Sequence, residues 1–208
     1  MIAIDYMNVS PIVPVVVLDD KKDALPLAEA LLEGGIGIME ITLRSEAALA
    51  SIELIARELP EMHVGAGTVI NSEQLFAVRD HGGKFSFSPG ISTGLLADSR
   101  KHGIPFIPGV ATASEVMLAI DHGVLACKLF PATAVGGVKT LKGFGGPFPQ
   151  VSFCPTGGVS LDNMNEFLAL PNVKCVGGSW IVPGKLVNAG DFAGIVELCR
   201  TALDSIES

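Results

Sequence analysis

Short apolar runs rich in β-branched residues alternate with longer segments of helical periodicity along the chain. The first apolar run covers residues 11–18, and the segment 20–33 that follows carries Leu25, Ala28 and Leu31 at three-residue intervals. Apolar residues at this spacing line one face of a helix, whereas short apolar runs between turn residues are typical of buried strands. A chain in which strands and helices alternate is predicted to form an α/β fold around a parallel sheet.

Eight strand-and-helix units can be counted, and eight is the number that closes a (βα)8, or TIM, barrel. We therefore predict a single (βα)8 barrel domain over residues 1–208, with a long C-terminal helix. An open doubly wound sheet is the alternative, although no G-x-G-x-x-G motif follows the first strand. The predicted strands are 11–18, 36–43, 63–69, 85–88, 104–107, 124–130, 151–154 and 173–176; the predicted helices are 20–33, 45–59, 72–81, 93–102, 114–122, a weak 136–149, 161–170 and 192–206.

The histidines have a structural explanation at the predicted helix ends. His-Gly pairs occur at 81–82, 102–103 and 122–123, where glycine can take the left-handed C′ position and histidine can meet the last carbonyl groups. Only His63 lies elsewhere, so no histidine-based metal site is predicted. The N-cap candidates are Asn71 or Ser72, Thr112 or Ser114, and Ser160 or Asp162.

Composition narrows the class of protein. Apolar residues make up 49% and charged residues 17% of the chain, which is typical of a globular protein with a large core. The mean hydropathy of +0.49 also indicates apolar contacts between subunits. The formal net charge is -8 and no lysine or arginine cluster forms a basic stripe, so no nucleic-acid partner is predicted.

Membrane and export signals are not evident. No run reaches the roughly 18 continuous apolar residues of a membrane span, and the first ten residues lack the basic region of a signal peptide. The four cysteines form no C-x-x-C pair. We expect reduced thiols, no membrane partner and a cytoplasmic location.

Lys128 is the residue that carries most of the chemical information. It lies in the run Val-Leu-Ala-Cys-Lys-Leu-Phe-Pro-Ala, which is otherwise apolar and predicted as a buried strand. Burial disfavours a charged ammonium group, and a neutral lysine amine can form a Schiff base with a carbonyl substrate. The alternative is a lysine on a solvated strand face, or one whose head group reaches water.

The second predicted strand carries alternating polar residues. Glu40, Thr42 and Arg44 fall on one face of the strand and apolar residues on the other. Active sites of (βα)8 barrels lie at the carboxyl ends of the strands, so the polar face is expected to enter the site. Glu40 suits proton transfer and Arg44 suits a carboxylate, while a Glu40–Arg44 ion pair without chemistry is the alternative.

Glycine pairs follow the predicted seventh and eighth strands. Gly157 and Gly158 come after Pro-Thr, and Gly178 is followed by Ser179. The loops after these two strands are the usual phosphate site of a barrel, where backbone N–H groups surround the anion. The third strand ends in Gly-Ala-Gly and Thr68, whose hydroxyl can donate to an anion. The motifs 88–90 and 107–109, Ser-Pro-Gly and Ile-Pro-Gly, are predicted as turns at the rim.

Together these segments resemble the class I 2-keto-3-deoxy-6-phosphogluconate (KDPG) and 4-hydroxy-2-oxoglutarate (KHG) aldolases. The similarity runs in order from Pro11 to about Glu197. One departure is Thr133, which stands where many members have glutamate. The matching segments are the Glu-x-Thr-x-Arg of strand two, VGAGTV at 64–69, SPG at 88–90, IPG at 107–109, KLFPA at 128–132, FCPTGGV at 153–159 and VGGSW at 176–180.

The resemblance implies a homotrimeric (βα)8 barrel that needs no metal or other cofactor. Lys128 is implied as the Schiff-base residue toward the C2 ketone of a small keto-acid, and Glu40 as the group that moves protons through a water. The products implied are pyruvate with glyceraldehyde 3-phosphate from KDPG, and pyruvate with glyoxylate from KHG. The implied binding residues are Arg44 and Thr68 for the pyruvyl carboxylate, Thr156, Phe130 and Pro89 for orientation, and Gly157, Gly158, Gly178 and Ser179 for phosphate.

Three other functions fit parts of the sequence. A phosphosugar isomerase, epimerase or decarboxylase would use the same phosphate-binding barrel without an imine. A non-catalytic barrel would bind phosphate esters without turnover, although a buried lysine and glutamate would then reduce stability without a functional gain. A metal-dependent aldolase would need a ligand cluster that the sequence does not display.

Overall fold

Parallel strands surrounded by helices form the centre of the structure, a computed structural model that describes residues 1–207. The α/β fold predicted from the sequence is confirmed. The strands are β1 Ile12–Val16, β2 Ile38–Thr42, β3 His63–Gly67, β4 Ser86–Phe87, β5 Phe106–Ile107, β6 Gly109–Val110, β7 Ala126–Leu129, β8 Ser152–Pro155 and β9 Val176–Gly178. The helices are α1 Ala3–Met7, α2 Ala24–Glu33, α3 Ala48–Glu58, α4 Ser72–Asp80, α5 Thr93–His102, α6 Ala113–Asp121, α7 Gly137–Gly145, α8 Met164–Leu168, α9 Gly184–Ala189 and α10 Phe192–Glu207.

The strand ladders fall into two parallel sheets. The larger sheet has the order β5-β4-β3-β2-β1-β9 and curls into a half barrel, and the smaller has the order β6-β7-β8. Two isolated parallel bridges connect the two sheets: Thr156, after β8, bridges to Gly177 of β9, and Phe153 of β8 bridges to Val173, shortly before β9. All pairings are parallel, so the carboxyl ends of the strands meet at one end of the molecule.

The segment Ile-Pro-Gly at 107–109 corrects one prediction. It was expected to form a turn at the rim, but Gly109 and Val110 form β6 and pair with Lys128 and Leu129 of β7. Pro108 lacks a backbone N–H and therefore cannot donate to a ladder. Its carbonyl accepts from the Lys128 backbone N–H at 2.8 Å, which fixes the strand beside the predicted catalytic lysine.

The last strand also differs from its prediction. It was expected over 173–176, with the following glycine pair in a loop, but β9 covers Val176–Gly178. Gly177 and Gly178 pair with Val13 and Pro14 of β1. The glycines were predicted as loop residues because glycine is normally unfavourable in a strand. A side chain at Gly177 would meet Thr156, and one at Gly178 would meet Trp180, so close packing selects glycine at both positions.

The sheet is covered by helices, and its central strand is buried. All five residues of β2 are buried, as expected of a parallel strand covered on both faces. Helix α3 packs against β2 and β3, α2 packs against α3, and α10 packs against α2. The C-terminal helix α10 was predicted over 192–206, and the structure confirms a long helix there.

Several helix ends match their predicted signals. The side chains of Asn71 and Thr112 accept hydrogen bonds from the backbone N–H groups of Gln74 and Glu115. The Nδ1 atoms of His81 and His122 lie 2.7 and 3.0 Å from the carbonyl oxygens of Ala77 and Leu118, as predicted for helix ends.

Two features of the helices were not predicted. The N-terminal residues form helix α1, whose buried Tyr6 and Met7 join the core. The predicted caps of the seventh-unit helix, Ser160 or Asp162, are wrong: α8 starts later, and Asn163 occupies the N-cap position without capping its own helix. Its side chain binds the preceding loop instead.

The four cysteines are all buried and free. Burial raises the pKa of the Cys127 and Cys199 thiols to about 12. Within residues 1–207, no helix is both long enough and apolar enough to cross a membrane.

Candidate active site

The side chains of Lys128 and Glu40 meet inside the sheet. Lys128 on β7 donates from Nζ to Oε1 of Glu40 on β2 at 2.8 Å, and the two residues lie 88 positions apart in the chain. The side chains are 7% and 1% exposed, so this ion pair is almost completely removed from water. Glu40 therefore lies within proton-transfer distance of the amine that was predicted as the nucleophile.

Two aromatic rings border the lysine amine. Lys128 Nζ lies 5.1 Å from the ring centre of Phe87 and 5.6 Å from that of Phe130. Phe130 was predicted beside the substrate, whereas Phe87 was missed. Its position two residues after Phe85 was the available signal, because alternate residues of an extended segment point to the same side.

The second carboxylate oxygen of Glu40 is an open acceptor. Oε2 is buried and has no hydrogen-bond partner among residues 1–207. Buried oxygens without partners are unfavourable, and at a reaction centre they are available to a substrate hydroxyl or a water. Gly67 on β3 makes room for the group, since a Cβ there would lie 3.1 Å from Glu40 Cδ.

Arg44 lies outside the buried pair. Its Nε donates to Thr42 Oγ1 at 3.2 Å, and the Thr42 hydroxyl donates to the Val16 carbonyl at 3.0 Å. The part of the chain described here contains no Glu40–Arg44 ion pair, so the alternative of a purely structural pair between them is wrong. Thr42 fixes the direction in which the exposed guanidinium leaves β2.

Thr68 has a strained backbone directly after β3. Its φ angle is 61°, which places a non-glycine residue in the left-handed region. Such conformations are unfavourable and concentrate at functional sites. The next backbone N–H, that of Val69, donates to the Phe87 carbonyl at 3.1 Å, which links the Thr68 turn to the strand that carries Phe87.

A second group of predicted residues lies at the carboxyl ends of β8 and β9. Thr156 is buried and follows β8, whose Cys154 pairs in register with Lys128 of β7. Residues Gly157 to Ser160, here called the glycine loop, follow Thr156. Gly157 and Gly158 have φ angles of 98° and 78°, conformations that favour glycine.

The groups at the end of β9 differ in exposure. Gly178 is buried within the strand, while Ser179 is exposed directly after it. Trp180 packs against Gly178, and its Nε1 is buried without a hydrogen-bond partner among the described residues. Pro89 is half-buried in the loop after β4, and its carbonyl lies against Gly109, where a side chain would overlap it.

Cys175, near the ion pair, is not a competing nucleophile. A hydrogen bond with Cys154 and complete burial together raise the pKa of the Cys175 thiol well above its usual value, and the Glu40 charge adds to the shift. A thiol held in its protonated form is a poor nucleophile. Within residues 1–207, no group of three or more His, Cys, Asp or Glu side chains is arranged to hold a metal ion.

The geometry defines a chemical class. A buried lysine amine within hydrogen-bonding distance of a carboxylate, where parallel strands converge, is suited to covalent catalysis through an imine. The chain matches the family model "KDPG and KHG aldolase" over residues 3–198. The chain belongs to this family, whose members are carbon–carbon lyases.

Similar proteins with curated descriptions agree. A 2-dehydro-3-deoxy-phosphogluconate aldolase of Pseudoalteromonas atlantica is 51% identical over 199 residues, covering 96% of this chain and 93% of that protein. The KHG/KDPG aldolase of Escherichia coli is 48% identical over 198 residues, covering 95% and 93%.

Solved structures share the fold. The KDPG aldolase of Legionella pneumophila, with pyruvate captured as a covalent carbinolamine intermediate, superimposes with a TM-score of 0.93 at 47% identity and covers 95% of this chain and 96% of its own. The Zymomonas mobilis KDPG aldolase, solved with 3-phosphoglycerate, has a TM-score of 0.90 at 40% identity and covers 96% and 94%.

Proposed function

We propose that this chain cleaves KDPG to pyruvate and glyceraldehyde 3-phosphate through an imine at Lys128, and that it also cleaves KHG to pyruvate and glyoxylate. The observation that supports this most is the buried 2.8 Å contact between Lys128 Nζ and Glu40 Oε1. An amine within reach of a carboxylate base can lose its proton to that base and attack a ketone.

Glu40 is the proton carrier in this mechanism. The amine adds to C2 of the substrate to give a carbinolamine, and loss of water gives a protonated imine. Removal of the C4 hydroxyl proton, through Glu40 and a water, lets the C3–C4 bond break toward the imine as an enamine. The aldehyde leaves, C3 takes up a proton, and water then releases pyruvate and the free amine. The cationic imine accepts the electron pair better than a neutral ketone, and the nearby carboxylate stabilises it.

The remaining predicted residues are assigned to the two ends of the substrate. Arg44 and Thr68 bind the pyruvyl carboxylate, and Thr156, Phe130 and Pro89 orient the pyruvyl part. Gly157, Gly158, Gly178 and Ser179 bind the phosphate. The strained Thr68 backbone, the exposed Arg44 guanidinium and the positive φ angles of the glycine loop support these assignments.

Closure of the two sheets into one eight-stranded barrel is part of the same proposal. β5 and β6 flank Pro108 and act as one fifth strand, which pairs with β4 on one side and β7 on the other. With the bridge from Thr156 to Gly177, this order would complete a ring. We assign the whole chain to this one domain.

We also propose that the protein is a homotrimer and that it is located in the reducing cytoplasm. The exposed apolar side chains Val17 and Ile70, which are 42% and 59% exposed, favour burial by another subunit. Four free, buried cysteines favour a reducing compartment. Sedimentation equilibrium would give three times the chain mass if the trimer is right; any other mass would contradict it.

Pyruvate release tests the assigned activity. Purified protein is supplied with KDPG or KHG, and pyruvate is followed continuously. The wild type is expected to release pyruvate from both substrates, and Lys128→Arg from neither. Lys139→Arg, which changes an exposed lysine, is the matched control. Full activity in Lys128→Arg would reject the lysine mechanism.

A further inference from the structure

The side chains of Thr133 and Asn163 form hydrogen bonds with the glycine loop, and neither residue has a role in the proposed mechanism. We propose that Asn163 is a positioning residue for phosphate: it fixes the peptide groups of the glycine loop so that consecutive N–H groups point to the anion. This inference rests on the proposed function, because it concerns the phosphate end of the same substrate.

Asn163 binds the loop at two points. Its Nδ2 donates to the Gly158 carbonyl at 3.0 Å, and its Oδ1 accepts from the Ser160 backbone N–H at 2.9 Å. It occupies the N-cap position of α8, yet its side chain does not cap that helix. Both polar atoms of the amide are therefore used by the loop.

The neighbouring carbonyl of the loop is also occupied. The Gly157 carbonyl accepts from the backbone N–H and the hydroxyl of Thr133, at 3.1 and 3.2 Å. It thus has two donors, while the only described donor to the Gly158 carbonyl is Asn163. Loss of Asn163 should free the Gly158 carbonyl, whereas the Gly157 carbonyl would stay bound.

Because the peptide bond is planar, a hydrogen bond that fixes a carbonyl group also fixes the direction of the next N–H group. In a trans peptide the C=O and the following N–H point in opposite directions. The contact to the Gly157 carbonyl therefore directs the Gly158 N–H away from Thr133, and the contact to the Gly158 carbonyl directs the Val159 N–H away from Asn163. Neither N–H makes a hydrogen bond within the described part of the chain.

Successive backbone N–H groups without partners in a glycine-rich turn can form an anion-binding concavity, and we assign the Gly158 and Val159 N–H groups to it. Both Gly157 and Gly158 have positive φ angles, which glycine adopts without strain. Gly158 also leaves no room for a side chain, because a Cβ there would overlap the Thr133 hydroxyl. Asn163 contributes no atom to the chemistry near Lys128. Its removal should weaken phosphate binding and leave cleavage of a substrate without phosphate intact.

The test compares two substrates that share the pyruvyl half. In Asn163→Ala, kcat/KM for KDPG should fall about tenfold, the factor expected for one well-placed hydrogen-bonding group. Most of the change should be in KM. For KHG, whose distal group is a C5 carboxylate and not a phosphate ester, kcat/KM should stay within about twofold, because this shorter end reaches less far toward the loop. Inhibition of KHG cleavage by inorganic phosphate should weaken to a similar extent as KDPG binding.

Asn165→Ala is the matched control. Asn165 lies on α8 and donates to the Ser205 carbonyl at 2.9 Å, so its loss removes a comparable hydrogen bond from the same helix without touching the loop. Asn163→Asp is the second variant. It keeps an acceptor for Ser160 but places a carboxylate against the Gly158 carbonyl, and should impair KDPG cleavage at least as much as Asn163→Ala.

The outcomes separate the inference from the proposed function. An equal loss on KDPG and KHG, or no loss on KDPG, in folded Asn163 variants would overturn the positioning role. If wild-type protein is not inhibited by phosphate and does not prefer KDPG, the phosphate site itself is rejected. If wild-type protein releases no pyruvate from either substrate, the proposed function fails regardless of Asn163.

Discussion

At the scale of single residues, the two carboxylate oxygens of Glu40 have different surroundings. One oxygen contacts the Lys128 amine, and the other has no described partner. Glu40→Gln keeps the shape but cannot accept a proton. The exchange of pyruvate methyl protons with deuterated water is expected to slow by about 100-fold or more, the range found for loss of a general base. An unchanged exchange rate, measured by NMR, would remove Glu40 from the mechanism.

Gly67 tests how tightly that carboxylate is enclosed. A methyl group at this position would lie 3.1 Å from Glu40 Cδ and 3.2 Å from Thr42 Cγ2. Because Glu40 is buried and bound to Lys128, Gly67→Ala should displace it and reduce kcat. Gly94→Ala is the control, since a Cβ there meets nothing within 4 Å and alanine favours a helix. Equal kcat in the two variants would show that the carboxylate can move without loss.

At the scale of elements, the cap of α6 illustrates stability that is separate from chemistry. The Thr112 hydroxyl accepts from the Glu115 backbone N–H, and the Glu115 carboxylate accepts from the Thr112 N–H at 2.9 Å. Thr112→Ala should lower the free energy of unfolding by about 1 kcal/mol. Ser114→Ala, exposed in the same turn, should change it little. Urea titration distinguishes them, and equal midpoints would contradict the capping role.

Some helices and strands match their predicted positions and others do not. The helix predicted over 93–102 matches α5, because Ser92 caps its start and Gly103 ends it in the left-handed region. β6 and β9 were misplaced because proline and glycine, which usually end strands, are tolerated here by packing between layers. Local signals therefore located the helices better than the short strands.

At the scale of the whole molecule, the site joins residues that local patterns cannot connect. The polar face of strand two and the lysine of the apolar strand were recognisable, but their contact depends on β2 and β7, which belong to different sheets. The positioning role of Asn163 was not predictable, since it depends on the direction of one carbonyl group. The positions of these polar residues at the strand ends were thus predictable from the sequence, while their partners across the fold were not.

His63 links pH to stability at the amino-terminal end of β3. Burial and the charge of Lys84 lower the pKa of His63, whose ring packs against Tyr6. A lowered folded pKa gives a stability contribution that is present above the unfolded histidine pKa of about 6.5 and is lost as pH falls through the folded value. His63→Gln should lose less stability between about pH 6.5 and 5 than wild type. Thermal unfolding across this pH range checks the difference; equal acid sensitivity in wild type and His63→Gln would contradict this assignment.

Covalent trapping tests the central claim most directly. Wild-type protein is incubated with pyruvate and borohydride, and the intact mass and the modified peptide are measured. The mechanism predicts one reduced pyruvyl adduct per chain, located on Lys128, and no adduct in Lys128→Arg. A folded wild-type protein that gains no adduct, or gains it on another lysine, would contradict the assignment of Lys128 as the imine-forming residue.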